Sequence, residues 1–344
     1  MYKNTTQLTV LDQWLTKPQT KATVKLSQID QSINWVPIKK MLSKYYIKGT
    51  DVQGRPAYSP LLLFKMCLLQ TWYGLSDEEI QDCVNDRLSF MNFCGISLNQ
   101  PAPDHTVISR FRSILVESNV YEKILAKIVK QLEQQRLILK TGVIVDASLT
   151  PTPNKPKGHK QYEISQTEEE LTLRAVVKPG VDPQASWVKK GNELTYGYKK
   201  HYAVDSQEGL VLAVSTSKAS DHDSRYLAPL LEKLALPANS SVYADKGYAG
   251  EPNAKLLKSK GLKNRIHRKG VVNRPLRSLE KYYNKLISKV RYKVERTFGS
   301  IQRWFKSTSC RYLGLAKAHG QHVLEAIAYN LYRLPRIIMS KSIA

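Results

Sequence analysis

Two aspartates each follow a short apolar run that is typical of a buried β-strand. Asp146 comes directly after Val143–Val145, and Asp245 comes directly after Val242–Ala244. Gly247, two residues further on, can turn the chain sharply. An acid at the end of a buried strand is costly to desolvate unless a cation or hydrogen bonds receive it. These two acids therefore predict a site for positive charge at one end of a sheet.

Glu295 is a third candidate, within a helix expected over Tyr282–Phe305. Arg291 lies one turn before it, so a surface ion pair between the two side chains is the simplest explanation. Such pairs contribute only about 0.3–0.5 kcal/mol. Glu295 is, however, the only acid between Glu280 and Glu325. On the residues alone, an ion pair and a functional role are both open.

Two strand-borne aspartates and a helix-borne glutamate can converge at one end of a mixed sheet. Carboxylate oxygens are hard ligands that suit Mg²⁺, and Mn²⁺ accepts them as well. Two such ions, about 3.5–4 Å apart, activate a water or a 3′-hydroxyl and stabilise the leaving oxygen of a phosphodiester. Without metal, the same acids would repel phosphate. The three acids together predict metal-dependent chemistry on nucleic acid.

The net charge of the 344-residue chain is +24. Most of the excess lies after Asp245, where 23 Lys or Arg accompany only four acids. Such a charge requires an anionic partner, and nucleic acid fits better than a membrane surface because no long amphipathic anchor is evident. The longest apolar run, Pro60–Phe64, is far too short to span a bilayer. Four cysteines without CxxC spacing indicate reduced core thiols and a cytosolic protein.

The residue pattern changes from helical to α/β near residue 141. Thr167–Glu170 could open a short helix inside a long, weakly patterned insertion. Gly197–Asp205 and Gly209–Thr216 predict two antiparallel strands around a turn. The predicted divisions, in chain order, are a polar arm (1–34) with a short helix near Leu8–Leu15, a helical domain (35–140), an α/β domain (141–336) with an insertion (151–196), and a tail (337–344).

The helical part begins several of its helices with recognisable caps. Ser59 precedes Pro60 at a favoured first helical position, and Ser76 with Glu79 has the spacing of a capping box. The helix expected over His105–Leu115 carries Arg110 and Arg112 off its apolar face. Short helices joined by tight turns are typical of a helix-turn-helix DNA reader, and equally of an ordinary helical bundle.

Four blocks of the chain resemble the bacterial insertion-sequence transposases of the IS-five type. They occur in the family's order and extend, with supporting pieces, from about Trp35 to Leu334. The blocks are Gly54–Pro60 through Trp72–Asp77, Val145–Ala147, Asp245–Tyr248, and Val294–Gly299 followed by Arg311–Leu315. The supporting pieces are Lys189–Asn192, Tyr198–His201 and Ala219–Asp223.

The resemblance implies an α/β fold with an RNase H-like mixed-sheet catalytic core that follows an all-helical DNA-binding domain. It implies that Asp146, Asp245 and Glu295 form a metal-binding DDE triad that uses Mg²⁺, or Mn²⁺. The activity implied is cleavage at the terminal inverted repeats of an insertion sequence and strand transfer into target DNA. The partners implied are element-end DNA, target DNA and further copies of the chain in a synaptic complex. The localisation implied is the bacterial cytoplasm, in association with the nucleoid.

The family's Y-x-x-R-x-x-x-E-x-x-x-x-x-x-K signature is matched only in part. Arg291 and Glu295 fit it, but Ser288 stands at the Tyr position and Gln302 at the Lys position. Arg303 or Lys306 could replace the phosphate contact of that lysine. The residues expected to contact DNA are Arg291, Arg296, Arg303, Lys306, Arg110, Arg112, Lys199, Lys200 and His201. The residues expected to support the site are Gly247 through backbone geometry, Tyr248 through packing, and His222.

Several of these residues have simpler explanations. A helix cap explains Asp221 or Asp223 beside His222 equally well. A turn role suits Asp205 better than metal binding, and a structural histidine is the safer interpretation of His201. The alternative function is a catalytically silent DNA-binding regulator derived from a transposase. A basic structural or RNA-binding protein has no use for acids at the three positions.

Overall fold

The computed structural model describes residues 20–47, 57–158, 162–167, 170–175, 179–270 and 274–342. The helix expected near Leu8–Leu15 and most of the basic loop before Tyr58 lie outside these residues. Seven helices precede the first strand in this part of the chain. They are α1 (Lys21–Ser32), α2 (Val36–Tyr45), α3 (Pro60–Tyr73), α4 (Asp77–Asp86), α5 (Leu88–Cys94), α6 (His105–Glu117) and α7 (Val120–Gln134).

The α/β part contains eight strands and four α-helices among the described residues. The strands are β1 (Gly142–Pro151), β2 (Tyr162–Thr167), β3 (Glu170–Ala175), β4 (Ser186–Lys190), β5 (Glu193–Asp205), β6 (Val211–Lys218), β7 (Ser241–Ala244) and β8 (Lys263–Ile266). The helices are α8 (Leu227–Glu232), α9 (Glu251–Ser259), α10 (Ser278–Phe305) and α11 (Leu315–Ser342). Short 3₁₀ turns cover Asp223–Tyr226 and Lys246–Tyr248.

Local sequence explains where several helices begin. Pro60 stands in the first turn of α3, where its missing amide hydrogen costs nothing. Ser76 and Glu79 form the expected capping box at α4, with the Glu79 amide donating to Ser76 Oγ at 3.1 Å. Asp104 caps α6 by accepting from the Thr106 amide at 2.7 Å. The predicted capping box at Ser76 is confirmed, and Ser59 and Pro60 stand at the predicted positions, although the Ser59 side chain makes no capping hydrogen bond.

The main sheet has the strand order of an RNase H-like fold. Its core runs β6–β5–β1–β7–β8, with β5 antiparallel to both β1 and β6, and with β7 parallel to β1 and β8. Gly197 lets β5 approach β1 closely, because a Cβ there would lie 2.3 Å from the Thr150 carbonyl oxygen. The predicted α/β core with an RNase H-like mixed sheet is confirmed.

The segment between β1 and β5 is more ordered than the sequence predicted. β2 and β3 pair antiparallel as a separate two-stranded sheet, so the helix expected to open at Thr167–Glu170 is wrong. β4 pairs antiparallel with the first residues of β5 and extends the main sheet. Both pairings join strands that are neighbours in the chain, but the strand propensity of this segment depends on context that its sequence pattern does not show.

One hydrophobic core runs through both the helical and the α/β parts. Within it, the Trp72 indole donates to the Ala328 carbonyl at 2.9 Å and joins α3 to α11. Helices extend into both segments that were predicted as a polar arm and a tail. Helix α1 lies within the arm and buries Leu26 and Ile29, and helix α11 continues into the tail past the buried Ile337. All four cysteines are free thiols, as expected.

Two histidines are buried in this core in their neutral form. Burial lowers the pKa of His201 to about 4 and that of His322 to about 3. Below pH ~6.5 the unfolded chain binds protons at both histidines while the folded chain does not. The unfolded state is therefore increasingly favoured as the pH falls from ~6.5 towards the pKa values of the two histidines in the folded protein.

We expect the free energy of unfolding to fall by about 1.4 kcal/mol per pH unit for each of these histidines over that window. Urea denaturation at a series of pH values measures it, and the double variant His201→Gln/His322→Gln should show a shallower slope. His105→Gln is the matched control, because 41% of the His105 side chain is exposed. An unchanged slope in the double variant would contradict the assignment.

Candidate active site

Parallel pairing of β1, β7 and β8 sets three polar residues side by side. Val145 is opposite Ala244, and Ala244 is opposite Ile266. The next residue on each strand is therefore Asp146, Asp245 or His267. β7 and β8 end at these positions, whereas β1 continues past Asp146 to Pro151, so the three polar residues lie side by side at one edge of the parallel part of the sheet. This edge is the candidate active site.

The Arg291 guanidinium lies between the two aspartates. Its Nη2 donates to Asp146 Oδ2 at 2.7 Å, and its Nη1 is 3.9 Å from Asp245 Oδ1. Arg291 projects from α10, and only 10% of its side chain is exposed. Of the two interpretations left open for Glu295, the surface ion pair with Arg291 is the wrong one, because the guanidinium turns inward to the two aspartates. Glu295 is exposed and lines the same cleft.

The two aspartates have different electrostatic environments. Burial raises the pKa of Asp146 above its ordinary value, even though Arg291 acts in the opposite direction. Burial also raises the pKa of Asp245, but the Lys246 amide, Arg291 and His267 outweigh it and bring that pKa below its ordinary value. Asp245, with 42% of its side chain exposed, is thus the acid more readily ionised.

His267 is a site residue that the sequence reasoning missed. Its Nδ1 is 3.3 Å from Asp245 Oδ1, and its Nε2 is 3.3 Å from Ser288 Oγ. Ser288 is the residue that stands where the family signature has tyrosine. The parallel strand after Asp245, with a histidine directly at its end, was the available signal. β8 is only four residues long and lies in a strongly basic segment, so its strand character was not recognised.

An open cleft of about 1040 Å³ lies in front of these groups. Asp146, Asp245, Arg291 and Glu295 line it. The end of β1, the segment that follows it with Lys155, and the β4–β5 hairpin with Trp187, Lys190 and Tyr196 line it as well. Among the described residues, no three His, Cys, Asp or Glu side chains are already grouped as a metal cage. Arg291 occupies the space between the two aspartates instead.

Three residues expected to contact DNA are enclosed by protein. Arg112 pairs with Asp77 at 2.5 Å, and Lys200 pairs with Glu325 at 2.9 Å. His201 contacts Ser217 Oγ at 2.8 Å. These expectations of a DNA contact are corrected, because at most 7% of each residue is exposed and none can reach a phosphate. The structural interpretation of His201 is the right one.

The remaining residues that were expected to contact DNA differ in whether their side chains are exposed or already paired. Arg110, Arg296, Arg303 and Lys306 are exposed. Lys199 is held by Asp223 at 2.8 Å and by the Asp221 carbonyl at 2.7 Å.

The supporting residues surround the end of β7. Tyr248 is buried, with its hydroxyl 3.5 Å from His201 Nδ1, so it packs behind the site. His222 caps the turn at Asp223 by accepting from the Ser224 amide, and neither Asp221 nor Asp223 is the cap. Gly247 lies in a 3₁₀ turn without positive φ, and a Cβ there would meet only Asp223 Oδ2 at 4.0 Å. The backbone therefore does not require glycine at this position.

Asp205 has the expected turn role, accepting from the Gln207 and Glu208 amides.

Sequence comparison places this site in a family. Residues 138–331 match the family described as "Transposase DDE domain", and residues 10–113 match "Transposase domain (DUF772)". The chain belongs to the DDE transposases. It is 34% identical over 226 residues to the transposase for insertion sequence element IS1106 of Neisseria meningitidis serogroup B, covering 65% of this chain and 76% of the relative.

DDE transposases act on DNA and use divalent metal ions. Two solved transposases resemble the chain at low TM-score. A piggyBac synaptic complex with hairpin DNA has a TM-score of 0.43 at 10% identity, covering 93% of this chain and 76% of the other. A pre-cleavage Mos1 transpososome has a TM-score of 0.22 at 9% identity, covering 95% and 98%. The family assignment of this transposase rests on its sequence.

The role of Arg291 in neutralising the negative charge of the two aspartates can be tested by substitution. Arg291→Ala leaves Asp146 next to Asp245 without its cation, so we expect a loss of about 1–3 kcal/mol of stability in chelator. Adding Mg²⁺ should raise the melting temperature more in the variant than in the wild type, because the ion replaces the missing charge. Arg274→Ala is the control, since Arg274 is mostly exposed and its Nη2 lies 3.9 Å from Glu280 Oε1. An equal Mg²⁺ response in wild type and variant would contradict this balance.

His267 can be tested as a positioning residue for Asp245. We expect His267→Ala to weaken Mn²⁺ binding about 10–100-fold, the usual effect of removing a group that orients a ligand. Isothermal titration with Mn²⁺ measures the affinity directly, without DNA. His267→Asn, which keeps a hydrogen-bonding side chain, should recover part of it, and His105→Ala should leave it unchanged. Wild-type affinity in His267→Ala would exclude the role.

Proposed function

We propose that Asp146, Asp245 and Glu295 together hold the divalent metal of this transposase, with Mg²⁺ as the working ion and Mn²⁺ as a substitute. The observation that carries the proposal is the pair of aspartates on neighbouring parallel strands with one cation between them. A place that stabilises a guanidinium between two carboxylates also suits a divalent ion with oxygen ligands. Bound there, the ion would supply the positive charge that cleavage of a phosphodiester needs.

In this proposal the Arg291 guanidinium changes its orientation when metal binds and stays within the site. With metal bound, its guanidinium no longer has to neutralise both aspartates, and it is free to turn towards a phosphate in the cleft. Glu295, one turn later on α10, is the exposed acid that can turn inwards. The exchange keeps the total charge of the site near balance at each stage. This is the reason for an arginine at that position of the helix.

The cleft offers room and charge for a DNA strand. Lys155 and Lys190 line the cleft together with the acids and would supply positive charge for the phosphates of a bound strand. The exposed Arg110 on α6 supports recognition of element ends by the helical domain, residues 35–140. Because cleavage and joining require two ends together, we propose that the chain acts as a homo-oligomer in its synaptic complex. No helix in the described ranges is long and apolar enough to cross a membrane.

Strand cleavage and joining on DNA that carries the element's own ends test the proposal. We expect Asp245→Asn and Glu295→Gln each to lower the rate with Mg²⁺ at least ~100-fold while DNA binding is retained or tightened, since each removes a charge that repels phosphate. Glu251→Gln is the matched control, because 76% of the Glu251 side chain is exposed on α9.

Two results would overturn the proposal. Full activity of Asp245→Asn or Glu295→Gln would remove that acid from the metal site. A wild-type protein that binds the ends but never nicks them would favour the alternative, a catalytically silent DNA-binding regulator.

A further inference from the structure

A second large groove lies between α1, α10 and α11, outside the active-site cleft. Its volume is about 1050 Å³, close to that of the cleft. We call it the α1–α10–α11 groove. Its lining consists of Lys21, Val24, Lys25, Gln28, Arg296, Ser300, Arg303, Trp304, Tyr329, Tyr332, Arg333, Pro335, Arg336, Met339 and Ser340.

The charge of this groove is entirely positive. Six of its lining residues are Lys or Arg, drawn from three separate helices, and none is Asp or Glu. Arg333 is fixed in place by donating to the Glu208 carbonyl at 2.8 Å and to the Tyr329 hydroxyl at 3.1 Å. Bringing like charges together costs free energy, which a polyanion in the groove would offset. The composition therefore specifies the charge of the partner.

Aromatic rings form part of the wall between these cations. The Trp304 ring stacks on Tyr329 with centroids 6.2 Å apart and tilts against Tyr332 at 5.4 Å. Lys25 Nζ lies 3.0 Å from the centre of the Tyr332 ring. About a third of Trp304 is exposed. Cations held against flat rings have less side-chain entropy to lose when they bind a phosphate.

Helix α10 separates the groove from the cleft. Successive residues of a helix point about 100° apart, so Glu295 and Arg296 face different directions. Phe298 and Gln302 share the direction of Glu295 and line the cleft, whereas Ser300 and Arg303 follow Arg296 and line the groove. One helix therefore presents an acid to one cavity and guanidinium groups to the next.

We propose that the α1–α10–α11 groove binds the sugar–phosphate backbone of duplex DNA as a contact separate from the strand held in the cleft. The proposal rests on the proposed function, in which DNA occupies the cleft on the other side of α10. DNA that passes round this helix would contact Arg296 and Arg303 after leaving the acids. An open groove with cations spread over three helices fits an extended backbone better than a single small anion. The source of the DNA, element end or target, is decided by the test.

The salt dependence of DNA binding tests the groove without any catalysis. In chelator, the wild type, Arg303→Glu/Arg336→Glu and Lys258→Glu/Lys260→Glu are titrated with a short fluorescein-labelled random-sequence duplex. The second pair is a matched control, because both lysines are exposed on or beside α9 and the change in net charge is the same. Each phosphate contact contributes about 0.9 to the slope of log K against log salt concentration.

We expect the groove variant to lose about 2 from that slope and to bind at least ~10-fold more weakly, while the control keeps the wild-type slope. Equal changes in the two variants would show that net charge alone acts and would overturn the proposal. Because metal is absent, this result does not depend on the metal triad. If cleavage fails in Asp245→Asn but the slopes differ as expected, both proposals stand separately.

Photo-crosslinking locates the contact directly. A photoreactive phenylalanine analogue at Met339, which lines the groove and is 57% exposed, should crosslink to the duplex. The same group at Val36, 70% exposed and outside the groove lining, is the control. Crosslinking at Met339 no stronger than at Val36 would overturn the proposal. Competition with unlabelled duplex carrying the element ends, compared with random duplex, distinguishes element-end DNA from target DNA.

Discussion

The candidate site of this transposase depends on one arginine that lies between two carboxylates on neighbouring parallel strands. Asp146 is the more enclosed of the two, with 18% of its side chain exposed against 42% for Asp245, and a buried carboxylate needs a cation beside it. Arg291 supplies that cation, with one nitrogen 2.7 Å from Asp146 and another 3.9 Å from Asp245. The interaction ties α10 to the centre of the sheet. The same helix must therefore be positioned correctly for the site to form at all.

Two long helices connect this site to the rest of the fold. Helix α10 faces the cleft with Glu295 and the α1–α10–α11 groove with Arg296, so a single element divides two cavities of similar size. Helix α11 packs against β5 and β6 and also against helices of the N-terminal part. The resulting core is continuous, and the helical and catalytic parts are held together by apolar burial as well as by the Trp72 hydrogen bond to α11.

The sequence-based interpretation failed where a side chain's partner lies far away in the chain. Arg112 reads as a surface cation on a DNA-reading helix, yet it pairs with Asp77 across the helical part. Lys200 lies in β5 between the buried Tyr198 and Tyr202 and pairs with Glu325 of α11, 125 residues later. Spacing along the helix offered Glu295 as one partner for Arg291, but the guanidinium lies between Asp146 and Asp245. Arg112 was expected off the apolar face of its helix and is buried instead, and local spacing predicted none of these partners.

The sequence by itself determined the caps, the apolar strands, the order of family blocks and the two aspartates, because these depend on neighbouring residues or on short repeats. Tertiary structure decided the rest. Only parallel pairing of β8 brings His267 to Asp245, and only the folded arrangement gathers six cations from three helices into one groove. Ion pairs and cavities are set by distances through space, and a linear pattern records those distances only when the partners are close in the chain.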